Sequence, residues 1–289
     1  MKVRLGAVGY LNARPHVFGL DRSPRFELRF DVPSRCADLL HEGTVDVGLI
    51  PSIEYFGGAY RIVPDVAIAS RGPVASVALF TTKPMADVRS IAMDASSRTS
   101  VALAQVLCAR AFKVRPALEP GGSSLASTLA RCDAALVIGD NALFTAPETI
   151  RLAPDTSRET PRLAKDAVPP TKAASGRAGR PVEKIDLGEV WTRMTGLPFV
   201  YAFWAGRPEA LTGADVRALQ EARDAGVMRS EEIARAYCSD PERQAIGARY
   251  LRDNIRYRLG PDERAGLELF YRYAAEAGIA PEARELRFF

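Results

Sequence analysis

The segment Phe26–Ile50, FELRFDVPSRCADLLHEGTVDVGLI, has a complete strand–helix–strand pattern. Phe26–Val32 shows the partial alternation of apolar and polar residues that is typical of a strand. Ser34 is expected to cap a helix that ends at Gly43. Val45–Ile50 is short, apolar and rich in β-branched residues, as buried parallel strands are. This order predicts an open α/β sheet.

The alternation of short apolar strands and helical stretches continues outside this segment. A helix is predicted at Ser100–Phe112, and from Thr212 onward the pattern is mostly helical, with a break at Asp240-Pro241 and another at Gly260-Pro261. The other predicted strands are Val3–Val8, Val74–Thr81, Ile91–Met93, Val114–Leu118, Ala134–Ile138 and Leu197–Ala205. Because strands and helices alternate in two separate stretches, we predict two α/β units.

Two extended segments link these units. Val74–Thr81 leads from the first unit to the second, and Leu197–Ala205 leads back. The sequence therefore predicts a bilobal α/β architecture with a helical C-terminal tail. Residues 1–82 and 204–289 are expected to form lobe 1, and residues 83–203 to form lobe 2. In such a clamp a ligand binds between the lobes, against strand ends and helix N-termini.

The basic charge of the chain is concentrated in one segment. The 289 residues include 39 Lys+Arg and 35 Asp+Glu, which gives a net charge of +4. Residues 151–184 contain eight basic and four acidic residues, so the rest of the chain has 31 of each sign. This segment also has five prolines and no aromatic residue, which predicts a flexible basic insert in lobe 2. No nucleic-acid partner is expected for the neutral remainder.

Neither export nor membrane insertion is expected from the sequence. The N-terminus MKVRLGAVGYLNARP has no apolar signal-peptide core, and no run of about 18 apolar residues exists to span a membrane. Cysteines occur at scattered positions without a C-x-x-C pair, namely Cys36, Cys108, Cys132 and Cys238. We therefore expect a cytoplasmic protein with reduced and mostly buried thiols.

Uncharged hydrogen-bonding groups follow several of the predicted strands and precede helices. The candidate ligand-binding residues are Asn12, Ser52, Gly72, Ser76, Ser97, Thr99, Ser100 and Asp140. The hydroxyls at the start of the Ser100–Phe112 helix are more numerous than one helix cap requires, and free N–H groups there favour anions. Asp140 either binds a ligand hydroxyl or caps the following short helix. Such groups around one cleft suit a small ligand with more than one carboxylate.

Several signatures of metal and cofactor chemistry are missing from the sequence. His16 and His41 lie far apart, which argues against a histidine-based metal site. The chain has no Walker loop, G-x-G-x-x-G or G-x-S-x-G motif. We expect neither a metal nor a cofactor, and we expect both histidines to be structural or solvated.

Five motifs occur in an order that resembles the chorismate dehydratase family. They are Tyr10–Pro15 (YLNARP), Ile50–Tyr55 (IPSIEY), Ser97–Ser100 (SRTS), Leu136–Asp140 (LVIGD) and Trp191–Ala202 (WTRMTGLPFVYA). One of these motifs alone would not identify the family, but the five in this order are fairly specific for it. The resemblance runs from about residue 3 to residue 208. Two features depart from the family pattern. The basic insert precedes Asp186–Trp191 (DLGEVW), and Pro51 stands where a small polar residue is expected.

The resemblance implies a type II periplasmic-binding-protein-like fold and a hydro-lyase without a cofactor. The implied reaction converts chorismate to 3-[(1-carboxyvinyl)oxy]benzoate and water, in the futalosine route to menaquinone. Chorismate has two carboxylates, in agreement with the donor-rich site. By resemblance, Asn12 is the catalytic residue that orients the substrate, and the other candidate residues bind it.

The implied reaction removes the C3 proton and the C4 hydroxyl, and the ring becomes aromatic. The intermediate anion is delocalised into the ring carboxylate, so the site must offer fixed donors. Glu54 and Asp140 are protein carboxylates that would need the right reach to act as the base. The resemblance favours instead the enolpyruvyl carboxylate of the substrate itself.

Two other functions fit the same architecture. One is a 1,4-dihydroxy-6-naphthoate synthase-like enzyme, which would be expected to have a catalytic histidine in lobe 2, where neither His16 nor His41 is expected. The other is a non-enzymatic carboxylate-binding protein. Turnover of chorismate separates the dehydratase from both.

Overall fold

Two β-sheets with helices packed against them make up the computed structural model, which describes residues 2–150, 181–282 and 285–289. Along these residues the strands are β1 (Val3–Val8), β2 (Phe26–Asp31), β3 (Val47–Pro51), β4 (Arg61–Ile62), β5 (Ile68–Ser70), β6 (Val77–Thr81), β7 (Ser90–Met93), β8 (Ala117–Pro120), β9 (Ala134–Ile138), β10 (Glu183–Asp186) and β11 (Phe199–Gly206). The α-helices are α1 (Pro33–His41), α2 (Arg98–Leu107), α3 (Leu125–Leu129), α4 (Gly139–Phe144), α5 (Leu187–Thr195), α6 (Gly213–Val227), α7 (Ser230–Tyr237), α8 (Pro241–Arg249) and α9 (Pro261–Glu276).

The two sheets confirm the predicted bilobal α/β architecture. The first sheet has the order β2-β1-β3-β11-β4, with β5 also paired to β11, and the second has the order β10-β6-β9-β7-β8. β1 pairs in parallel with β2 and β3, as the strand–helix–strand pattern predicts, whereas β11 runs antiparallel to β3. We call the first sheet and its helices α1 and α6–α9 lobe 1, and the second sheet and its helices α2–α5 lobe 2.

Both crossovers exist, but the chain changes sheets earlier than predicted. β6 already pairs with β9 in the second sheet, and β11 already pairs with β3 in the first. We therefore propose that the lobe boundaries lie in the segments 71–76 and 187–198, ahead of the expected 82/83 and 203/204. Every residue of β11 is buried, which explains its continuous apolar run.

The N-cap residue of helix α1 lies two residues earlier than predicted, so the assignment of Ser34 as its cap was wrong. Pro33 occupies the first helical position, where its fixed φ favours helix initiation, and Val32 is the N-cap residue. The Ser34 N–H instead donates to the Ser96 carbonyl of lobe 2 at 2.9 Å. This hydrogen bond joins the start of α1 to the segment before α2.

The predicted basic insert lies mostly outside the described residues, which omit 151–180. Its C-terminal edge was wrong, because Glu183 and Lys184 belong to β10 and pair antiparallel with β6. The Lys184 Nζ lies 5.6 Å from the centre of the Phe80 ring, so the residue is anchored on the sheet. An insert therefore has to end before Glu183.

Two expectations about cysteines and membrane segments can be compared with the structure. All four cysteines are buried and unpaired, as predicted. Burial raises the pKa of the Cys36 thiol to about 12 and that of Cys108 to about 11, so both thiols stay protonated at neutral pH. Among the described helices, none has the length and hydrophobicity needed to cross a membrane.

A 3₁₀ turn at Leu11–Val17, directly after β1, packs closely against α6. The contact depends on Gly226, because a Cβ atom there would come within 2.4 Å of the Pro15 carbonyl oxygen. Real Cβ atoms do not approach backbone so closely, so any larger residue has to move the turn. Gly226 therefore fixes the position of the segment that contains Asn12.

Replacing Gly226 with alanine should lower the free energy of unfolding by about 1–3 kcal/mol, because the added methyl group overpacks this contact. Urea denaturation of Gly226→Ala gives the measurement. Gly213→Ala at the start of the same helix is the matched control, since a Cβ there has only the Arg217 side chain at 3.7 Å. Equal stability of the two variants would show that the turn moves away from the added methyl group at no cost in stability.

Candidate active site between the lobes

A cavity of about 40 Å³ lies between the two lobes. Its polar lining comes from Tyr10, Asn12, Ser76, Ser97, Ser100 and Tyr201, and its other lining residues are Val8, Pro33, Pro51, Ile68, Val74, Val77, Ile138, Gly139 and Ala202. None of these described lining residues is charged. Ligand recognition here depends on hydroxyls, an amide and backbone groups.

Asn12 enters the cavity from lobe 1, at the start of the 3₁₀ turn that follows β1. Its Oδ1 is buried and has no hydrogen-bond partner in the described structure. Because a buried unpaired acceptor is costly, it is suited to receive a hydrogen bond from a ligand. This position agrees with the prediction that Asn12 orients a substrate, which stays a prediction.

Ser76 is oriented by a tyrosine from the C-terminal part of the chain. Tyr250 follows α8, and its hydroxyl donates to Ser76 Oγ at 2.7 Å. Burial raises the pKa of Tyr250 well above its usual value, and interactions with Ser76 and Asn12 oppose the rise only in part. Tyr250 therefore remains a donor, and the hydrogen of the Ser76 hydroxyl is left for a ligand.

Lobe 2 contributes Ser97 and Ser100 at the start of α2. The two hydroxyl oxygens lie 2.9 Å apart, and no side chain caps the helix. Ser97 holds the N-cap position but bonds to Ser100 instead of to the backbone. The first-turn N–H groups and the positive end of the helix dipole therefore remain for an anion.

Ser52 and Thr99 lie behind the cavity wall rather than on it. Ser52 Oγ donates to the Val200 carbonyl at 2.8 Å and is 3.3 Å from Thr99 Oγ1, which accepts from the Ile53 N–H at 3.1 Å. Both side chains are fully buried. They attach the start of α2 to the 3₁₀ turn Ser52–Gly57, and their expected contact with a ligand stays a prediction.

Gly72 lies in the first crossover, away from the cavity lining. Its φ of +88° is in the left-handed region that glycine adopts easily, and its N–H donates to Thr192 Oγ1 at 2.8 Å. This hydrogen bond ties the first crossover to α5. Its acceptor, Thr192, is not a lining residue of the cavity.

Asp140 lies at the edge of the cavity, and both of its carboxylate oxygens contact lobe 1. Oδ1 accepts the Leu11 N–H at 3.2 Å, and Oδ2 accepts the Tyr237 hydroxyl. Asp140 is not the N-cap residue of α4, a position that Ile138 holds. The alternative hypothesis of a helix cap was therefore wrong, whereas the hypothesis of ligand binding is untested.

Four of the eight candidate residues meet in the cavity, and sequence reasoning missed several others. Tyr10 and Gly139 were quoted within motifs but not selected, although both line the cavity. Tyr201 belongs to the continuous apolar run of β11, in which nothing local separates a cavity-lining aromatic from one that packs in the core. Tyr250 had no local signal, because its partner Ser76 is 174 residues away.

Neither histidine nor Glu54 reaches the cavity. His16 is fully buried beside Tyr257, with ring centres 5.4 Å apart. His41 Nε2 lies 2.9 Å from Glu54 Oε2, which also contacts Arg98 of α2 at 3.2 Å. In the described part of the chain, no three or more His, Cys, Asp or Glu side chains form a group suited to a metal ion.

These features define the class of protein: two α/β lobes around an uncharged cavity, the periplasmic-binding-protein fold. A solved Archaeoglobus fulgidus protein is similar at a TM-score of 0.69 and 16% identity, covering 96% of this chain and 98% of that one. A Candida albicans protein, described as having the generic periplasmic binding protein structural fold, has a TM-score of 0.58 and 12% identity over 98% of this chain and 92% of its own.

The sequence comparisons identify the family. The family model described as menaquinone biosynthesis matches residues 3–155 and 171–276, and the chain belongs to this family. The unmatched residues 156–170 fall inside the predicted insert. Chorismate dehydratase of Thermus thermophilus is 31% identical over 277 residues, which are 89% of this chain and 94% of that protein. The resemblance inferred from the five motifs is thus confirmed.

The buried His16 gives the protein a specific dependence of stability on pH. Desolvation, followed by the nearby charge of Arg223, lowers the pKa of His16 from 6.5 to about 3. The folded protein therefore keeps this ring neutral, while the unfolded chain binds a proton below pH 6.5. Stability from this group is complete above pH 6.5 and is lost as the pH falls toward 3.

Between pH 7.5 and pH 5, His16 should reduce the free energy of unfolding by about 2 kcal/mol. His16→Phe keeps a ring beside Tyr257 and removes the titration, so the difference between the two proteins isolates this contribution. Urea unfolding at a series of pH values measures it. Parallel pH curves for both proteins would contradict the burial of a neutral histidine.

Proposed function

We propose that this protein is a chorismate dehydratase, a carbon–oxygen lyase that forms 3-[(1-carboxyvinyl)oxy]benzoate and water in menaquinone biosynthesis. The supporting observation is the convergence of uncharged donors from both lobes on one cavity without charged lining residues. Family membership and the similarity to the Thermus thermophilus enzyme support the same substrate. Chorismate is a dianion whose carboxylates need hydrogen-bond donors and whose ring needs apolar walls.

The start of α2 is the proposed site for one carboxylate. Ser97, Ser100 and the uncapped first-turn N–H groups supply several donors at the positive end of one helix dipole. Ser76, with its proton directed by Tyr250, supplies a donor from another wall. Since donors of this kind are fixed before the ligand arrives, they stabilise developing charge without reorganisation.

The proposed reaction starts with loss of the C3 proton, which is acidic because its electrons delocalise into the ring carboxylate. The C4 hydroxide then leaves, the ring becomes aromatic, and proton and hydroxide depart together as water. Donors that hold the ring carboxylate lower the energy of the intermediate anion. The unpaired Asn12 Oδ1 is proposed to accept the hydrogen of the C4 hydroxyl and so fix the reacting carbons.

The proposed base is the enolpyruvyl carboxylate of chorismate. Among the described residues, the two protein carboxylates considered for this role are both engaged elsewhere. Glu54 contacts His41 and Arg98, and Asp140 contacts Leu11 and Tyr237. A base must come within hydrogen-bonding reach of the proton, and neither group lines the cavity.

We propose the cytoplasm as the compartment. All four cysteines are unpaired and buried, as is usual where thiols stay reduced. A naphthoate synthase-like enzyme would be expected to have a catalytic histidine in lobe 2. Both histidines of this chain lie in lobe 1, outside the cavity lining, and on this basis we exclude that reaction.

The purified protein should convert chorismate, with loss of the diene absorbance and appearance of an equal amount of the aromatic product. Ultraviolet spectroscopy and chromatography of the product measure both. Binding of chorismate without conversion would point to a carboxylate-binding protein. Absence of both binding and conversion would reject the proposed substrate.

Asn12→Ala and Ser100→Ala should each lower kcat by about 100-fold, the usual cost of losing one preorganised polar contact to the transition state. The free energy of unfolding should change by no more than about 1 kcal/mol. Ser123→Ala, an exposed position outside this cavity, is the matched control and should keep wild-type kinetics. Unchanged turnover in either cavity variant would remove that residue from the site.

A further inference from the structure

We propose that Asp140 is a positioning residue that holds lobe 2 closed on the turn containing Asn12, rather than a ligand of the substrate. This inference rests on the proposed dehydratase function for its kinetic consequences, but its structural part is independent of the substrate. It assigns the Asp140–Tyr237 pair the role of a closure contact.

The geometry of Asp140 points to closure. Its Oδ1 accepts the N–H of Leu11, the residue directly before Asn12, at 3.2 Å. Its Oδ2 accepts the hydroxyl of Tyr237, at the end of α7, and the same hydroxyl lies 3.1 Å from the Gly9 carbonyl. One lobe 2 carboxylate therefore contacts the turn directly at Leu11, and through Tyr237 it is linked to Gly9 just before the turn.

The backbone directly before Asp140 is held by neighbours from both lobes. Gly139 has a φ of +63°, and its N–H donates to the Ser76 carbonyl at 2.8 Å. The ring of Tyr10 packs over Gly139, where a Cβ atom would come within 3.0 Å of it. The backbone is thus held on both sides, and the two hydrogen bonds to lobe 1 hold the carboxylate itself.

Charge also argues against contact between Asp140 and the substrate. A carboxylate facing a dianion would repel it, since like charges at short range are unfavourable in a desolvated site. Here both oxygens accept hydrogen bonds from lobe 1. The guanidinium of Arg14 adds positive charge nearby, 5.0 Å from the centre of the Tyr237 ring, and donates to the Gly9 carbonyl at 3.1 Å.

Opening of the lobes has to break both Asp140 contacts, and closing restores them. Closure therefore sets the position of Asn12 relative to Ser76 and to the start of α2. The Arg98 ion pairs with Asp38 and Glu54 join another edge of the lobes, but they do not contact the Asn12 turn. Asp140 accepts a hydrogen bond from the backbone of the turn itself, and so couples lobe closure to the position of the turn.

The test uses Asp140→Ala, Tyr237→Phe and the double variant in the full-length protein. Asp140→Ala should lower kcat about 100-fold and Tyr237→Phe about 10-fold, both with small changes in KM. The double variant should equal Asp140→Ala, because Asp140→Ala already removes the Asp140–Tyr237 contact that Tyr237→Phe breaks. Asp140→Asn, which keeps an acceptor for the Leu11 N–H, should recover part of the lost kcat.

Two measurements without chorismate separate this inference from the proposed function. Hydrogen–deuterium exchange of the peptide containing Leu11 should speed up about tenfold in Asp140→Ala and Tyr237→Phe, and small-angle scattering should show a larger radius of gyration. Asp133→Asn is the control, because Asp133 accepts the Arg89 N–H at 2.8 Å within lobe 2 and should change neither result.

Loss of affinity at constant kcat, with unchanged exchange and scattering, would overturn the closure role and favour direct substrate binding. Additive effects in the double variant would also contradict it. If the wild type does not convert chorismate but exchange and scattering change as expected, the proposed function fails and the closure contact stands. Should Asp140→Ala not fold, Tyr237→Phe, which removes one oxygen atom, decides the question.

Discussion

The geometry between the lobes depends on the hydrogen bonds of one partly buried carboxylate, that of Asp186. It accepts the N–H groups of Val74 and Ala75, in the first crossover, and that of Glu189, in the first turn of α5. Ala75 has a φ of +63°, which is unfavourable for a residue with a side chain and needs support from such contacts. Burial raises the pKa of Asp186, and the N–H groups oppose this rise. One side chain thus joins the first crossover to α5, the helix that precedes the second crossover.

The contacts of Asp186 position the cavity wall at Ser76, and a separate anchor positions the start of α2. Ser76 comes directly after the strained Ala75, so the fixed crossover also fixes the hydroxyl that Tyr250 polarises. On the far side, α2 reaches the cavity because Thr99 is anchored to the Ser52–Gly57 turn. The lobes therefore meet through specific buried hydrogen bonds, and the uncharged lining is shaped by packing rather than by ion pairs.

The sequence predicted the sheets well because strands buried on both faces have unbroken apolar runs, as Phe199–Gly206 and Ala134–Ile138 do. It also selected Asn12 and the start of α2, since these follow strands in the local pattern. It did not distinguish Ser100, which faces the cavity, from Thr99, which faces a neighbouring turn. That difference is set by which way each residue points from the helix after packing. No local signal encodes the contact of Thr99 with Ile53, which lies 46 residues away in the chain.

The uncharged cavity lining has a consequence for how ligand binding responds to acid and base. Its only ionisable side chains are the phenols of Tyr10 and Tyr201, and burial raises the pKa of both above the usual value of 10. The wall therefore keeps one charge state across the physiological range. Any titration seen in binding near or below neutral pH belongs to the carboxyl groups of the ligand, or to lobe contacts outside the wall, so the protein discriminates among acids by their own ionisation.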